Sequence, residues 1–254
     1  MQIVRVARPS GPAYGVLREG HVVLLDGHPF APFQVTDQFA PVEGLRLLAP
    51  VLPSKVLGIG KNYADHAAEM GGEVPESPLV FLKPATAVVG DGDAIVLPRL
   101  SQEVHHEAEL AVVIGRMTRR VPVEDALEAV LGYTIANDVT ARDLQRSDGQ
   151  WTRAKGFDTF CPLGPVIETE LDAGAGLAVR ARVNGQTRQD GTTADLVFGV
   201  AELVAFCAAF TTLLPGDVIL TGTPAGVGPL VDGDTVEVDV EGIGTLTNVC
   251  RAED

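Results

Sequence analysis

His105-His106-Glu107-Ala108-Glu109-Leu110-Ala111-Val112-Val113-Ile114 places two carboxylates at the head of an apolar run. Leu110–Gly115 has the length and the β-branched content of a buried strand. Residues two apart on a strand point to the same face, so Glu107 and Glu109 stand side by side. Like charges so placed repel each other and resist desolvation, and a hard divalent cation is the simplest remedy. A third carboxylate, Asp138, follows in Ala136-Asn137-Asp138-Val139. Oxygen-only donors suit Mg²⁺ or Mn²⁺ rather than Zn²⁺. A solvated strand end, with Asp138 in a turn, accounts for the same residues without an ion. His105 shares the strand face by the same period of two, and a His-Glu-Glu set would instead favour Fe²⁺ or Zn²⁺. Spacing leaves these readings open.

Outward from this stretch the chain is rich in strands. Gln2–Ala7 and Gly15–Asp26 hold short strands punctuated by glycine and proline, a small N-terminal unit. Ala49-Pro50-Val51-Leu52-Pro53-Ser54 reads as a linker, which divides the chain into residues 1–53 and 54–254. Beyond it, Lys55–Gly60, Val80–Leu82, Ala94–Leu97, Val166–Ile167 and Leu177–Val183 read as strands. So do Asp217–Thr221, Thr235–Val240 and Thr245–Val249. Val183-Asn184-Gly185-Gln186 carries the Asn-Gly hairpin signal. Helices are expected over Asn62–Met70, ended by Gly71-Gly72, and over Val123–Leu131 and Val200–Phe210. The fold class is therefore mixed α/β and strand-dominated. It lacks the regular strand-helix alternation of a Rossmann fold or a TIM barrel.

Composition narrows the function. The 254 residues can bury a sizeable core, and 46% hydrophobic with 21% charged residues is ordinary for a soluble globular protein. A formal net charge of −15 argues against nucleic acid and against an anionic membrane surface as partners. No apolar run approaches the roughly 20 residues that span a bilayer. Met-Gln-Ile-Val-Arg-Val at the start reads as a strand and not a signal peptide. Cys161, Cys207 and Cys250 are odd in number and far apart, so buried thiols and a cytoplasmic location are expected.

Other groups carry possible chemistry. On a helix, His66 and Glu69 are neighbours at i and i+3, and a carboxylate beside an imidazole orients the ring and raises its basicity. Such a pair can activate water, or it can be a surface pair. Lys155, in Ala154-Lys155-Gly156-Phe157-Asp158, can neutralise an oxyanion or face solvent. Leu220-Thr221-Gly222-Thr223-Pro224-Ala225-Gly226-Val227-Gly228 follows a strand but lacks the Gly-Lys-Ser/Thr ending of a phosphate loop. It can present backbone N–H groups and a threonine hydroxyl to a ligand, or be a tight turn.

Six segments in order resemble the fumarylacetoacetate hydrolase family. They are Gly60-Lys61-Asn62-Tyr63-Ala64-Asp65-His66, Phe81-Leu82-Lys83-Pro84, His106-Glu107-Ala108-Glu109-Leu110, Asn137-Asp138-Val139-Thr140-Ala141-Arg142-Asp143-Leu144-Gln145, the Lys155 segment and the Thr223 loop. The resemblance runs from about Lys55 to the C-terminus. It implies a mixed β-roll, usually dimeric, binding Mg²⁺ or Mn²⁺ through Glu107, Glu109 and Asp138. It further implies a His66–Glu69 dyad on a mobile lid, Lys155 near the metal, and Arg142, Gln145 and Thr223 in contact with substrate. Fumarylacetoacetases proper carry a further acidic ligand seven residues before the catalytic histidine, where this chain has Ile59. The chain therefore looks more like the compact branch of acylpyruvate hydrolases, oxaloacetate decarboxylases and hydroxyheptadienedioate isomerases. The expected activity is metal-dependent hydrolysis of an acylpyruvate-type 2-oxo acid to pyruvate and a carboxylic acid. The alternatives are oxaloacetate decarboxylation and dienedioate isomerisation or decarboxylation. A 2-oxo-acid-binding protein without catalysis is the non-enzymatic alternative, against which the intact His66–Glu69 pair speaks.

Overall fold

The computed structural model describes residues 1–253. At its centre is the strand Ala108–Ile114, all of it buried, antiparallel to Val130–Asn137 on one side and to Val218–Leu220 on the other. Leu110, Val112 and Ile114 enter one apolar cluster, while Ala111 and Val113 enter a second on the opposite face. Burial on both faces is why the sequence shows a continuous apolar run instead of alternation.

The larger sheet continues in both directions. Beyond Val130–Asn137 come Cys161–Glu168, Gln2–Val6, Ala13–Arg18, His21–Asp26 and Gln34–Pro41. Beyond Val218–Leu220 come Val56–Gly60, paired in parallel, and the edge strand Leu79–Lys83. The N-terminal strands are thus hydrogen-bonded into the same sheet as the rest of the chain, through Gln2–Val6 and Cys161–Glu168. A five-stranded sheet runs Gln186–Thr192, Ala178–Val183, Thr235–Val240, Gly244–Ala252 and Ala94–Leu97. Its apolar residues Val179, Ala181, Val236 and Val238 share the cluster that holds Leu110. A third, short sheet joins Val104–His106 to Thr140–Ala141 and Gly228–Pro229.

This is the strand-dominated mixed α/β architecture expected. The Asn-Gly hairpin forms, with Val183 opposite Gln186 and both Asn184 (φ 51°) and Gly185 (φ 75°) in the left-handed region that a tight primed turn requires. Val200–Phe210 is helical as expected, burying Leu203, Val204, Cys207 and Ala208. The helix expected over Asn62–Met70 is shorter, Ala64–Glu69, followed by Gly71 at φ 68°. The helix expected over Val123–Leu131 is corrected. Val123–Ala129 forms a 3₁₀ helix that buries Ala126 and Ala129, whereas Val123 and Leu127 are exposed. Val130 and Leu131 already belong to the strand that leads to Asp138. The apolar spacing looked helical, but the buried run Tyr133–Ala136 recruits the preceding residues into the sheet. The three cysteines are free and buried, and burial pushes the Cys161 thiol up to about 12, as suits inert packing. Among the described residues no helix is long and apolar enough to cross a membrane.

Leu110 is fully buried at the middle of this arrangement. Leu110→Ala is expected to lower stability by about 2–5 kcal/mol, from lost burial and the cavity left behind. Urea unfolding checks this, and a loss well below that range would mean that the strand is not the packing centre.

Candidate active site

The register of the central hairpin builds the site. Ala108 lies opposite Asn137, so Glu107 and Glu109 flank a position that faces the residue before Asp138. Two bonds close the junction: the Glu107 amide donates to Asn137 Oδ1 at 2.9 Å, and the Asp138 amide donates to the Glu107 carbonyl at 2.9 Å. Glu107 falls at the break between the strands Val104–His106 and Ala108–Ile114, so strand alternation alone does not set its direction. The three carboxylates nevertheless converge, all buried, with donor oxygens within 4.8 Å of one another. His105 does not join them. Its Nε2 lies 3.5 Å from Glu103, and burial, with the nearby Arg142, pushes it down to about 4. The His-Glu-Glu set is therefore not formed.

Three buried cations answer the three carboxylates. Lys155 Nζ donates to Asp138 Oδ2 at 2.5 Å, to Thr140 Oγ1 at 2.9 Å and to Glu107 Oε2 at 3.0 Å. Its ammonium also sits 4.6 Å from the centre of the Phe81 ring. Lys83 donates to Asp138 Oδ1 and, at 3.1 Å, to the Val139 carbonyl. Arg142, at the start of the helix Arg142–Asp148, pairs with Glu107 and reaches Gln145 Oε1 at 2.9 Å. Its buried Nε has no partner. Burial opposes ionisation of Glu107, but Arg142 and Lys155 outweigh it and hold the carboxyl well below the usual range. Glu109 is the reverse case. Burial, then Asp138 and Glu107, raise it well above the usual range, and its one hydrogen bond comes from the Gly222 amide at 2.6 Å.

This donor set fits a hard divalent cation. Oxygens sharing a Mg²⁺ at about 2.1 Å lie about 3–4 Å apart, so the carboxylates need only a small contraction. The least stabilised of them, Glu109, is the one that gains most from an added positive charge. Ile59, 2% exposed, supplies no fourth carboxylate and lines the cavity with hydrocarbon.

The cavity above the carboxylates has a volume of about 190 Å³. His66, Arg142, Gln145, Lys155 and Thr223 all line it, together with Lys61. His66 Nδ1 lies 3.1 Å from Glu69 Oε2, and the other Glu69 oxygen accepts from the Gly226 amide at 3.0 Å. The dyad thus exists on the helix Ala64–Glu69, with Glu69 tied to the glycine loop. Thr223 Oγ1 donates to the Ala108 carbonyl at 2.8 Å, so toward a ligand its hydroxyl can only accept. A larger cleft of about 680 Å³ opens elsewhere, by Leu131 and Val200, and no cluster of metal-ligating side chains among the described residues lies there.

Sequence reasoning left three residues of the site without a role. Asn62, 1% exposed, anchors the start of the dyad helix through Phe198 and the Thr221 carbonyl. Lys83 is buried on the same strand face as Phe81, and a lysine at an inward position of an apolar strand was its signal. Gln189 is fully buried in a hairpin whose composition, Gln186–Thr192, looks like solvent-facing strand.

The family described as "Fumarylacetoacetate (FAA) hydrolase C-terminal" matches residues 55–251, and "Rv2993c-like, N-terminal" matches residues 1–50. Protein Rv2993c of Mycobacterium tuberculosis is 52% identical over 257 residues, covering 98% of this chain and 97% of that protein. Oxaloacetate tautomerase FAHD2A, mitochondrial, of Bos taurus is 46% identical over 220 residues, covering 82% of this chain and 70% of that protein. The structure titled 5-carboxymethyl-2-hydroxymuconate delta-isomerase from Mycobacterium smegmatis superimposes with a TM-score of 0.94 at 51% identity, over 100% of both chains. With its fold, its site and these relatives, the chain is an enzyme that belongs to the fumarylacetoacetate hydrolase family.

Proposed function

We propose that this enzyme acts at C3 of a short, dianionic 2-oxo acid, with a divalent cation, Mg²⁺ or Mn²⁺, held by Glu107, Glu109 and Asp138. The charge balance of the buried cluster carries this reading. Glu107, Glu109 and Asp138 are matched by Lys83, Lys155 and Arg142, all of them buried. A divalent cation therefore leaves the site with an excess of two positive charges, which a dianion neutralises. Excess charge of one sign in a low-dielectric cavity is costly, so affinity for a dianion follows. Lys61 adds positive charge at the wall of the cavity of about 190 Å³, whereas Arg146 there is paired with Glu103.

When bound, such a cation would act as a Lewis acid on the 2-oxo group. The chain supplies the rest. Glu69 orients His66 through Nδ1, leaving Nε2 to take up or return a proton. Arg142 and Lys155 offer positive charge to the oxygen on which negative charge develops. For an oxaloacetate-type substrate, the proton leaves C3 and the 2-oxygen gains one, giving the enol tautomer. The relative named oxaloacetate tautomerase supports this choice.

The carboxylate-backed histidine also favours a second reading, hydrolysis of an acylpyruvate. Here His66 deprotonates water, which attacks the distal carbonyl. The carbon–carbon bond breaks toward C3, and the proton passes to C3, giving pyruvate and a carboxylic acid. Both readings place proton transfer on His66. Decarboxylation of oxaloacetate breaks the bond at the same C3 and needs no water attack.

Four outcomes are expected. Mn²⁺ at about a hundred times its Kd should raise wild-type stability by about 2.7 kcal/mol, and Glu109→Gln should abolish the effect; an unchanged shift in that variant would remove Glu109 from the ligand set. Oxaloacetate and acetylpyruvate, assayed in parallel with Mg²⁺, Mn²⁺ and chelator, should show metal-dependent turnover, faster for oxaloacetate tautomerisation. His66→Ala should lower kcat on the preferred substrate by about 10² or more, and full retention would sink the dyad. Lys61→Met should raise KM for oxaloacetate more than for acetylpyruvate; equal effects on both would dismiss Lys61 as a contact to the distal carboxylate.

A further inference from the structure

A side chain distant in sequence from the carboxylates, the dyad and the glycine loop joins the two halves of the site. Gln189 lies on Gln186–Thr192, in the five-stranded sheet, and is fully buried. Its Oε1 accepts from the Ala108 amide at 3.0 Å and from His106 Nδ1 at 3.0 Å. Its Nε2 donates to Thr223 Oγ1 and to the Pro224 carbonyl, both at 2.7 Å. Both lone pairs and both N–H groups are therefore used. Ala108 N–H can only donate and the Pro224 carbonyl can only accept, which fixes the orientation of the amide.

The partners of this amide are specific. Ala108 separates Glu107 from Glu109. Thr223 and Pro224 belong to the glycine loop, which itself holds Glu109 through the Gly222 amide and Glu69 through the Gly226 amide. The local fold aims Gln189 at this junction. Ala181 pairs with Gln189 and Arg182 with Thr187, so Arg188 is an extra residue, a bulge that turns the strand. The loop is shaped to this bulge. A Cβ on Gly226, whose φ is +100°, would lie 2.1 Å from the Arg188 carbonyl oxygen, and one on Gly191 would lie 2.5 Å from Pro224 Cβ.

We infer that Gln189 is a positioning residue that fixes the spacing between the carboxylate strand and the glycine loop, and so between the metal ligands and the His66–Glu69 dyad. This rests on the metal-site reading proposed above. A glutamine that merely satisfied buried polar groups would contribute to stability alone. One that sets ligand spacing also governs cation affinity, as outer partners of metal ligands do.

The test is calorimetric titration of the full chain with Mn²⁺ alone, well below the melting temperature. Three proteins are compared: wild type, Gln189→Met, and Val183→Ala as a destabilised control in the same hairpin, away from the site. Gln189→Met should weaken Mn²⁺ binding by about 10- to 100-fold. Val183→Ala should lower the melting temperature and leave Mn²⁺ affinity as in wild type. Should Gln189→Met not fold, Thr223→Val cuts the same link isosterically and should weaken Mn²⁺ likewise. Wild-type affinity in Gln189→Met, or in Thr223→Val where that stands in, with loss confined to melting temperature, overturns the inference. A wild-type protein that binds no Mn²⁺ overturns the metal reading itself, and this inference with it.

Discussion

The constraint on which this structure depends is the burial of three carboxylates within 4.8 Å of one another. Left alone, such a cluster would protonate or pull water into the core. The chain answers with cations delivered from separate elements: Lys83 from the edge strand, Arg142 from the start of one short helix and Lys155 from the end of another. Each has to be long enough to reach inward and buried enough to remain unscreened. Removing any one would strand a partner charge in low dielectric, which costs far more than the intact pair gains over an apolar substitute. The cluster is thus a source of specificity in packing as much as a site.

Neutralisation is uneven, and the unevenness is informative. Glu107 faces Arg142 and Lys155 and stays ionised, whereas Glu109 meets a backbone amide and two like charges. The position of unmet negative potential is therefore beside Glu109, on the cavity side of the strand. The dyad stands over the same cavity on a helix of only six residues, Ala64–Glu69, too short to be stable on its own. Asn62 at its start and the Gly226 amide at its end hold it in place. The sheet beneath thus carries the charged groups, and these anchors set the dyad over them.

Much of this was legible in the sequence, and the reasons differ by element. The apolar run after Glu109 announced a strand buried on both faces, and Asn184-Gly185 announced its turn through the backbone angles only such residues adopt readily. The His66–Glu69 pair was readable from helical spacing. What the sequence hid was long-range. The strand Val130–Asn137 was masked because the spacing of Val123, Leu127, Val130 and Leu131 imitates a helix, and only pairing with Ala108–Ile114 reveals it. Glu107 does converge with Glu109, but through the junction with Asn137 and Asp138 and not through strand alternation. Gln189 carried no local signal: its neighbours are polar and exposed, and a single bulge turns it inward.

The central claim is that a buried cluster pairing three carboxylates with three cations becomes, once a divalent cation is bound, a receptor for a dianion. Oxalate is a dianion that presents two adjacent carboxylates and cannot enolise. Its binding, followed by calorimetry in the presence and absence of Mn²⁺, tests the claim without relying on turnover. The account predicts one oxalate per chain, bound only when Mn²⁺ is present. Oxalate binding of equal strength without the cation, or none with it, would contradict the account.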